Sequence, residues 1–226
     1  MLNKKLNEIV EKFPQTMDYF NKIDIDYCCH GDDSLNYALE KRAYNKEEIL
    51  KNLKSIIKEN KNEDKKSLDQ FKDENIENQF SHITHIHHDY ERKLLDDIDK
   101  LLRKILLVHY KNHGEEIKNT YIIFANIKAR LLAHLAKEEK KVFPIFEKDF
   151  EKKDLVFIDE LEDEHKEMGD LLEKLKIATK NFTPPKDGCK TYELSFNKLK
   201  TLTKDIYLHI FKENSLIFKK IRNTFL

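Results

Sequence analysis

Apolar residues recur in this chain at alternating intervals of three and four, the spacing that lines one face of a helix. Leu202, Ile206, His209, Glu213 and Leu216 form one such stripe. Phe124, Ile127, Leu131, His134, Glu138, Val142 and Ile145 form a second. Ile158, Leu161, His165, Met168, Leu172 and Leu175 form a third. A fourth places His88, Leu95, Leu102 and His109 at one heptad position, with Ile98 and Ile105 between them. No stretch shows the period-two alternation of a half-buried strand. The stripes predict four long helices, near 75–110, 116–148, 152–180 and 188–223. Gly114 separates the first pair, and Thr183-Pro184-Pro185-Lys186-Asp187-Gly188 the last. The expectation is an all-α chain whose larger part is an antiparallel four-helix bundle.

The first part of the chain predicts a smaller helical domain. Leu2–Glu11 is a short helix with Leu6, Ile9 and Val10 on one side, ended by Phe13-Pro14. Thr16–Lys22 is a second. Asp32 or Asp33 is expected to cap a helix through Leu35 and Leu39 to Arg42. Asn45 with Glu48 three residues on resembles a capping box opening a helix to about Lys58. The run Lys58–Lys66 has no apolar residue and is read as a solvated linker. The domains are therefore set at 1–65 and 66–226.

Composition narrows the function classes. Glycine and proline number 4 each in 226 residues, about 3.5% where average usage is roughly 12%. That argues against barrels, sandwiches and glycine-rich phosphate loops. Basic and acidic side chains balance at 42 each, so no charge excess suggests nucleic acid. Lys4 and Lys5 have no apolar stretch behind them, so no signal peptide is expected. The runs Ile105–Val108 and Tyr121–Ala125 are too short to span a membrane. Three cysteines, two of them adjacent (Cys28, Cys29, Cys189), fit a reducing cytoplasm.

The core stripes contain the wrong residues for a plain core. A single buried histidine is ordinarily a core residue with a hydrogen-bond partner. Two pairs four apart, His134/Glu138 and His209/Glu213, each in the core register of its helix, are harder to explain. So is one histidine from each other helix, His165 and a member of His82-Ile83-Thr84-His85-Ile86-His87-His88. A buried carboxylate without a counter-charge costs several kcal/mol, and a metal held between facing helices supplies that counter-charge. His88 fits the heptad best, with His85 and His87 open on spacing alone. His109 lies about 31 Å along a helix from His88 and cannot share its site. Cys28 and Cys29 are candidates for thiol chemistry: thiol exchange, persulfide or metal handover, or docking. Adjacent cysteines form only a strained ring disulfide, and a following helix N-terminus could lower a thiol pKa. The plain alternative is two small residues packed in a small core. Cys189, in a loop after Pro-Pro, is read as incidental.

Nearly the whole chain resembles the iron–sulfur cluster repair di-iron proteins, which join an N-terminal domain with adjacent cysteines to a hemerythrin-like bundle. Phe13-Pro14 and Ile25-Asp26-Tyr27-Cys28-Cys29-His30-Gly31 are similar to the N-terminal signature. His87-His88-Asp89-Tyr90-Glu91-Arg92, His134-Leu135-Ala136-Lys137-Glu138-Glu139, Glu162-Asp163-Glu164-His165 and His209-Ile210-Phe211-Lys212-Glu213-Asn214 resemble the four ligand segments. The resemblance implies two non-haem irons held by His88, His134, His165 and His209, bridged by Glu138 and Glu213 and able to take an oxo bridge. Glu164 would support the ligands from behind. It implies repair of clusters damaged by oxidative or nitrosative stress, by iron donation or nitric oxide chemistry. The partners would be damaged iron–sulfur proteins, with dioxygen or nitric oxide as small ligands. Neither nucleic acid nor membrane is expected, and the chain would be a monomer or homodimer. The alternative is a hemerythrin-like protein that binds or senses oxygen or nitric oxide without repair. Typical oxygen carriers use five histidines and two carboxylates, one an aspartate, so four histidines and two glutamates favour repair. Two departures stand out: Leu216-Ile217-Phe218-Lys219 replaces an apolar-Phe-Pro ending, and Arg130 occupies a position that is acidic in some members.

Overall fold

A computed structural model describes residues 1–58, 62–148 and 150–225, the side chains of 62–64 apart. Among the described residues every regular element is a helix, with no strand and a single isolated bridge between Lys5 and Ser34. The chain divides into two compact units, residues 1–79 with 210–226, and residues 80–209.

The first unit begins with α1 (Leu6–Lys12), whose Leu6, Ile9 and Val10 are buried. Pro14 opens a short 3-10 turn to Thr16, and α2 (Met17–Lys22) follows. In α3 (Leu35–Lys41) the N-cap is Ser34, whose hydroxyl accepts the Tyr37 amide at 3.2 Å. This corrects the expectation of an aspartate cap. Asp32 instead accepts the Lys5 ammonium at 2.7 Å, which takes it away from the helix. Asn45 caps α4 (Lys46–Lys58) as expected, accepting the amides of Glu47 and Glu48. The polar run 58–66 lies partly outside the described residues, at 59–61. From Asn62 the chain is helical again, in α5 (Asn62–Asp73) and α6 (Ile76–His82). Leu68 and Phe71 of α5 are buried. So are Ile210, Phe211, Ile217 and Ile221 from the end of the chain.

The second unit contains the predicted stripes. A π-helical turn (Ile83–His88) leads into α7 (Asp89–Lys137), which is helical over 49 residues with no irregular loop. It is nevertheless two antiparallel arms. Tyr121 donates to Asp99 at 2.8 Å, and Arg92 reaches Glu139 at 2.7 Å. In a straight helix those pairs would stand about 33 Å and about 70 Å apart. The reversal is centred between residues 110 and 115, where Gly114 was expected to break the helix. A Cβ on Gly114 would stand 3.0 Å from the Tyr110 ring, so the tight turn leaves little room for a side chain. A second π turn (Glu138–Val142) and α8 (Phe143–Phe146) complete that arm. Next comes α9 (Leu155–Ala178). Lys180, Asn181 and Phe182 then take left-handed φ values and turn the chain toward the prolines. The last long helix is α10 (Lys190–Lys212), continued without a break by a third π turn (Glu213–Phe218) and by α11 (Lys219–Asn223).

The stripes face the core as the spacing predicts. Leu95, Ile98, Leu102, Ile105, Phe124, Ile127, Ile158, Leu161, Leu172, Leu175 and Leu202 are all fully buried. Each such side chain contributes on the order of 1.5–3 kcal/mol of burial free energy. His109 is partly exposed, and among the apolar positions Ile145 is the exception. It is half-exposed while Phe143 and Phe146 are buried, because the π turn shifts the register just before it. No helix is long and apolar enough to cross a membrane.

Candidate metal centre

The buried polar residues of the bundle converge on one place. His88, His134, Glu138, His165 and His209 are each at most 7% exposed. Helical period explains why: in each stripe they replace an apolar residue one or two turns from Leu or Ile, so the packing that buries the stripe buries them too. The π turns add to this. His88 ends the first, Glu138 begins the second and Glu213 begins the third. A π turn inserts a residue into the helix and re-aims the side chains beside it, and such turns are frequent at functional sites.

The imidazoles meet in two pairs. Nε2 of His134 and of His165 are 3.0 Å apart, and Nε2 of His88 and of His209 are 3.3 Å apart. Ligands at about 2.1 Å from one ion, at right or tetrahedral angles, have nitrogens roughly 3.0–3.4 Å apart, so each pair has the span of two ligands on one ion. Glu138 lies between the pairs. Its Oε1 is 3.1 Å from His134 Nε2, and its Oε2 is 3.2 Å from His88 Nε2. Glu213 stands one turn beyond His209 on the same unbroken helix, fully buried, and is the fourth member of each donor group: His88, Glu138, His209, Glu213 and His134, Glu138, His165, Glu213. Nitrogen and carboxylate donors of this kind suit iron, manganese or zinc rather than calcium or a soft metal.

Carboxylates fix three of the four imidazoles. Nδ1–H of His134 donates to Glu164 at 2.7 Å, that of His88 to Glu139 at 2.8 Å, and that of His209 to Glu91 at 3.1 Å. A proton held on Nδ1 leaves the lone pair on Nε2, which is the atom facing the centre. His134 holds the Glu164 carboxyl down to about 2. Burial opposes this, and Lys137 at 2.8 Å adds to it. Burial also pushes Glu139 up, but hydrogen bonds from His88 and Arg92 carry it below the usual carboxylate range.

Sequence reading found Glu164 but missed Glu91 and Glu139. Glu91 lies three residues after His88, on the next turn, and is fully buried. That spacing was the available signal. His87 and His85 go elsewhere: His87 is buried against Asp205 at 3.1 Å, and His85 is exposed, bonded to the Ser81 carbonyl. Arg130, where an acidic residue was noted in some relatives, pairs with Glu167 on the surface.

The cysteines belong to neither of these donor groups. Cys28 is buried and Cys29 half-buried, neither in a disulfide, with their sulfurs 3.7 Å apart. The expectation of a lowered thiol pKa fails for Cys28. Burial pushes its thiol well up, and the neighbouring Cys29 and Asp26 push it further. The nearest following helix begins at Leu35, too far away to help. Cys189 is less incidental than its loop suggested. It is exposed, its sulfur is 3.2 Å from His109 Nε2, and that hydrogen bond draws its thiol down to about 7.

Comparison with known proteins agrees with this geometry. Residues 79–221 match the hemerythrin HHE cation binding domain, and residues 2–57 match the ScdA_N domain, a domain of unknown function. The iron-sulfur cluster repair protein YtfE of Escherichia coli O8 (strain IAI1) is 28% identical over 218 residues, 96% of either chain. The protein of that name from Enterobacter sp. (strain 638) is 27% identical over the same share. The cation-binding profile covers more than half of the sequence and all six predicted ligands, so this chain belongs to the hemerythrin HHE cation-binding family.

Proposed function

We propose that this chain is a non-haem di-iron protein that repairs iron–sulfur clusters damaged by oxidative or nitrosative stress. The observation that carries the metal reading is Glu138, a fully buried carboxylate with one oxygen toward each imidazole pair. A carboxylate so placed supports a reading in which it is shared by two ions. His134 and His165 would hold one iron and His88 and His209 the other, with Glu138 and Glu213 spanning both. An iron pair so held supplies ferrous–ferric exchange and open positions for a diatomic ligand. The protein's own part is to aim Nε2 of His88, His134 and His209 inward, through Glu139, Glu164 and Glu91, and to line the site with Leu, Ile and Phe that exclude bulk water.

The repair reading rests on the names of the full-length relatives, together with the pairing of a Cys-Cys domain (1–65) with the bundle (66–226). The setting is cytoplasmic, the partners are iron–sulfur proteins with damaged clusters, and dioxygen or nitric oxide are the small ligands. The test is iron content of protein purified without oxygen, followed by reactivation of a nitric-oxide-damaged cluster enzyme. About two irons per chain, lost together with reactivation in His134→Ala/Glu138→Ala, is the expected result. An iron-free parent with intact helices would overturn the metal reading. Two irons with a stable oxygen adduct and no reactivation would favour oxygen or nitric oxide binding instead.

A further inference from the structure

The loop between α2 and α3 contains a second cluster of metal-ligating atoms that the bundle does not use. We propose that Asp26, Cys28 and Cys29 form a site for one borderline-soft divalent cation, Fe2+ or Zn2+, bound through two thiolates and a carboxylate.

The donor atoms are already assembled. One atom from each of the three residues falls within 4.8 Å of the others. The two sulfurs are 3.7 Å apart. A disulfide would need about 2.05 Å. Two thiolates on a tetrahedral ion at about 2.3 Å stand roughly 3.8 Å apart. The pair is therefore spaced as the edge of a metal site. Asp26 supplies the third corner, with Oδ1 3.2 Å from the Cys28 sulfur.

Protein contacts brace the loop in this shape. Asp26 Oδ1 accepts the backbone amides of Cys28 at 3.1 Å and Cys29 at 2.8 Å, closing a tight turn that brings both thiols to one side. Its other oxygen accepts Nδ1–H of His30 at 2.8 Å. The Cys28 carbonyl accepts the Asn214 side-chain amide at 3.0 Å, and the Tyr27 ring packs edge-on against Phe211. Gly31 allows the close return: its carbonyl accepts the Asn7 amide, and a Cβ there would come within 2.8 Å of the Tyr27 carbonyl.

The chemistry balances. The cation replaces one proton on each thiol, so two protons leave per ion bound. Because Cys28 holds its proton tightly, affinity climbs with pH. Two thiolates and a carboxylate exceed the charge of the cation by one, and His30, hydrogen-bonded to Asp26, offsets the excess when protonated. Thiolate donors favour Zn2+ or Fe2+ over Mg2+ and Ca2+. Three protein donors leave a tetrahedral ion one open position. That suits a site that exchanges its ion or takes a further ligand more than one that only staples a loop.

The probe is cobalt(II) added anaerobically to the reduced full-length chain, in a Cys189→Ser background. Only thiolate ligation gives an intense sulfur-to-cobalt charge-transfer band, so the histidine and carboxylate donors of the bundle are silent in it. The expected result is one such cobalt per chain, displaced by Zn2+ or Fe2+ and unchanged in His134→Ala/Glu138→Ala. The band disappears in Cys28→Ser and in Cys29→Ser. Cys29 is half-exposed, so its variant keeps the test decisive should the Cys28 variant unfold. Asp26→Asn binds about tenfold or more weaker. Absence of the band in the parent, or its survival in the doubly substituted Cys28→Ser/Cys29→Ser chain, overturns the proposal. Undiminished affinity in Asp26→Asn removes the carboxylate from it.

Discussion

Cys189 shows what one neighbour does to a thiol. Its hydrogen bond to His109 favours the charged form, so it ionises at lower pH than an ordinary cysteine. Alkylation follows the thiolate, so the rate rises with pH and reaches half its maximum near 7. In His109→Gln that midpoint moves up toward about 8.5. A rate-against-pH profile with iodoacetamide checks both, and an unmoved midpoint would show that His109 is not the cause. At this scale the sequence was legible where periodicity acts. His88, His134, His165, His209, Glu138 and Glu213 could be found because a core stripe is no place for unpaired polar groups. Glu91 had only its place one turn after His88 to mark it and Glu139 had nothing, because without a resemblance such as marked Glu164 a glutamate beside a ligand reads like any solvated charge. Their role depends on which ring nitrogen faces the centre, and one-dimensional spacing does not encode that. Asp26 was quoted only as part of a signature, since its amide contacts exist only once the loop has closed.

Among the elements, helix existence was legible and helix ends less so. Asn45 was found as a cap because it precedes an unambiguous helix. Ser34 was missed because Asp32 and Asp33 are equally good caps on paper, and the Lys5 ion pair that removes Asp32 joins residues 27 apart. The two assignments differ in energy. Ser34→Ala leaves the Tyr37 amide without its acceptor and costs about 1 kcal/mol. Asp33→Ala stays within about 0.5 kcal/mol of the parent. Urea unfolding of both variants tests the assignment, and the reverse order would restore the aspartate cap. The reversal in α7 was legible through Gly114 and the lapse of apolar residues over Lys111–Glu116. The helical backbone runs on through it, and the pairing of Asp99 with Tyr121 shows the two arms.

For the whole molecule, the fold class followed from the scarcity of glycine and proline and the long stripes, before any ligand was considered. The stripes also imply a linkage between metal and stability. Buried imidazoles and carboxylates weaken a core unless an ion joins them. An ion that binds only the folded chain stabilises it by about 2.7 kcal/mol when present at a hundred times its Kd. For a chain of this length that is roughly 5–11 °C in Tm. Calorimetry of chelator-treated and iron-loaded protein is the check. The metal-free chain melts several degrees lower, and coincident transitions would mean that the donors are satisfied without an ion.

The π turns have one more consequence. Their five-residue period puts Glu138 and Phe143 on one buried face, and Glu213 and Phe218 on another. His134, Glu138 and Phe143 therefore repeat the spacing of His209, Glu213 and Phe218. The repetition extends to the partners. His134 is oriented by Glu164, beside its companion His165, and His209 by Glu91, one turn from its companion His88. The chain thus has the same histidine, glutamate and phenylalanine spacing twice, each time at a π turn. The likeness ends at the next residue, which is Glu139 in one copy and Asn214 in the other. Glu139 brings a negative charge to His88, and Asn214 brings a neutral amide to the Cys28 carbonyl. The two segments match in spacing and differ in charge, so Glu139→Gln would change the surroundings of His88 in a way that no substitution of Asn214 reproduces.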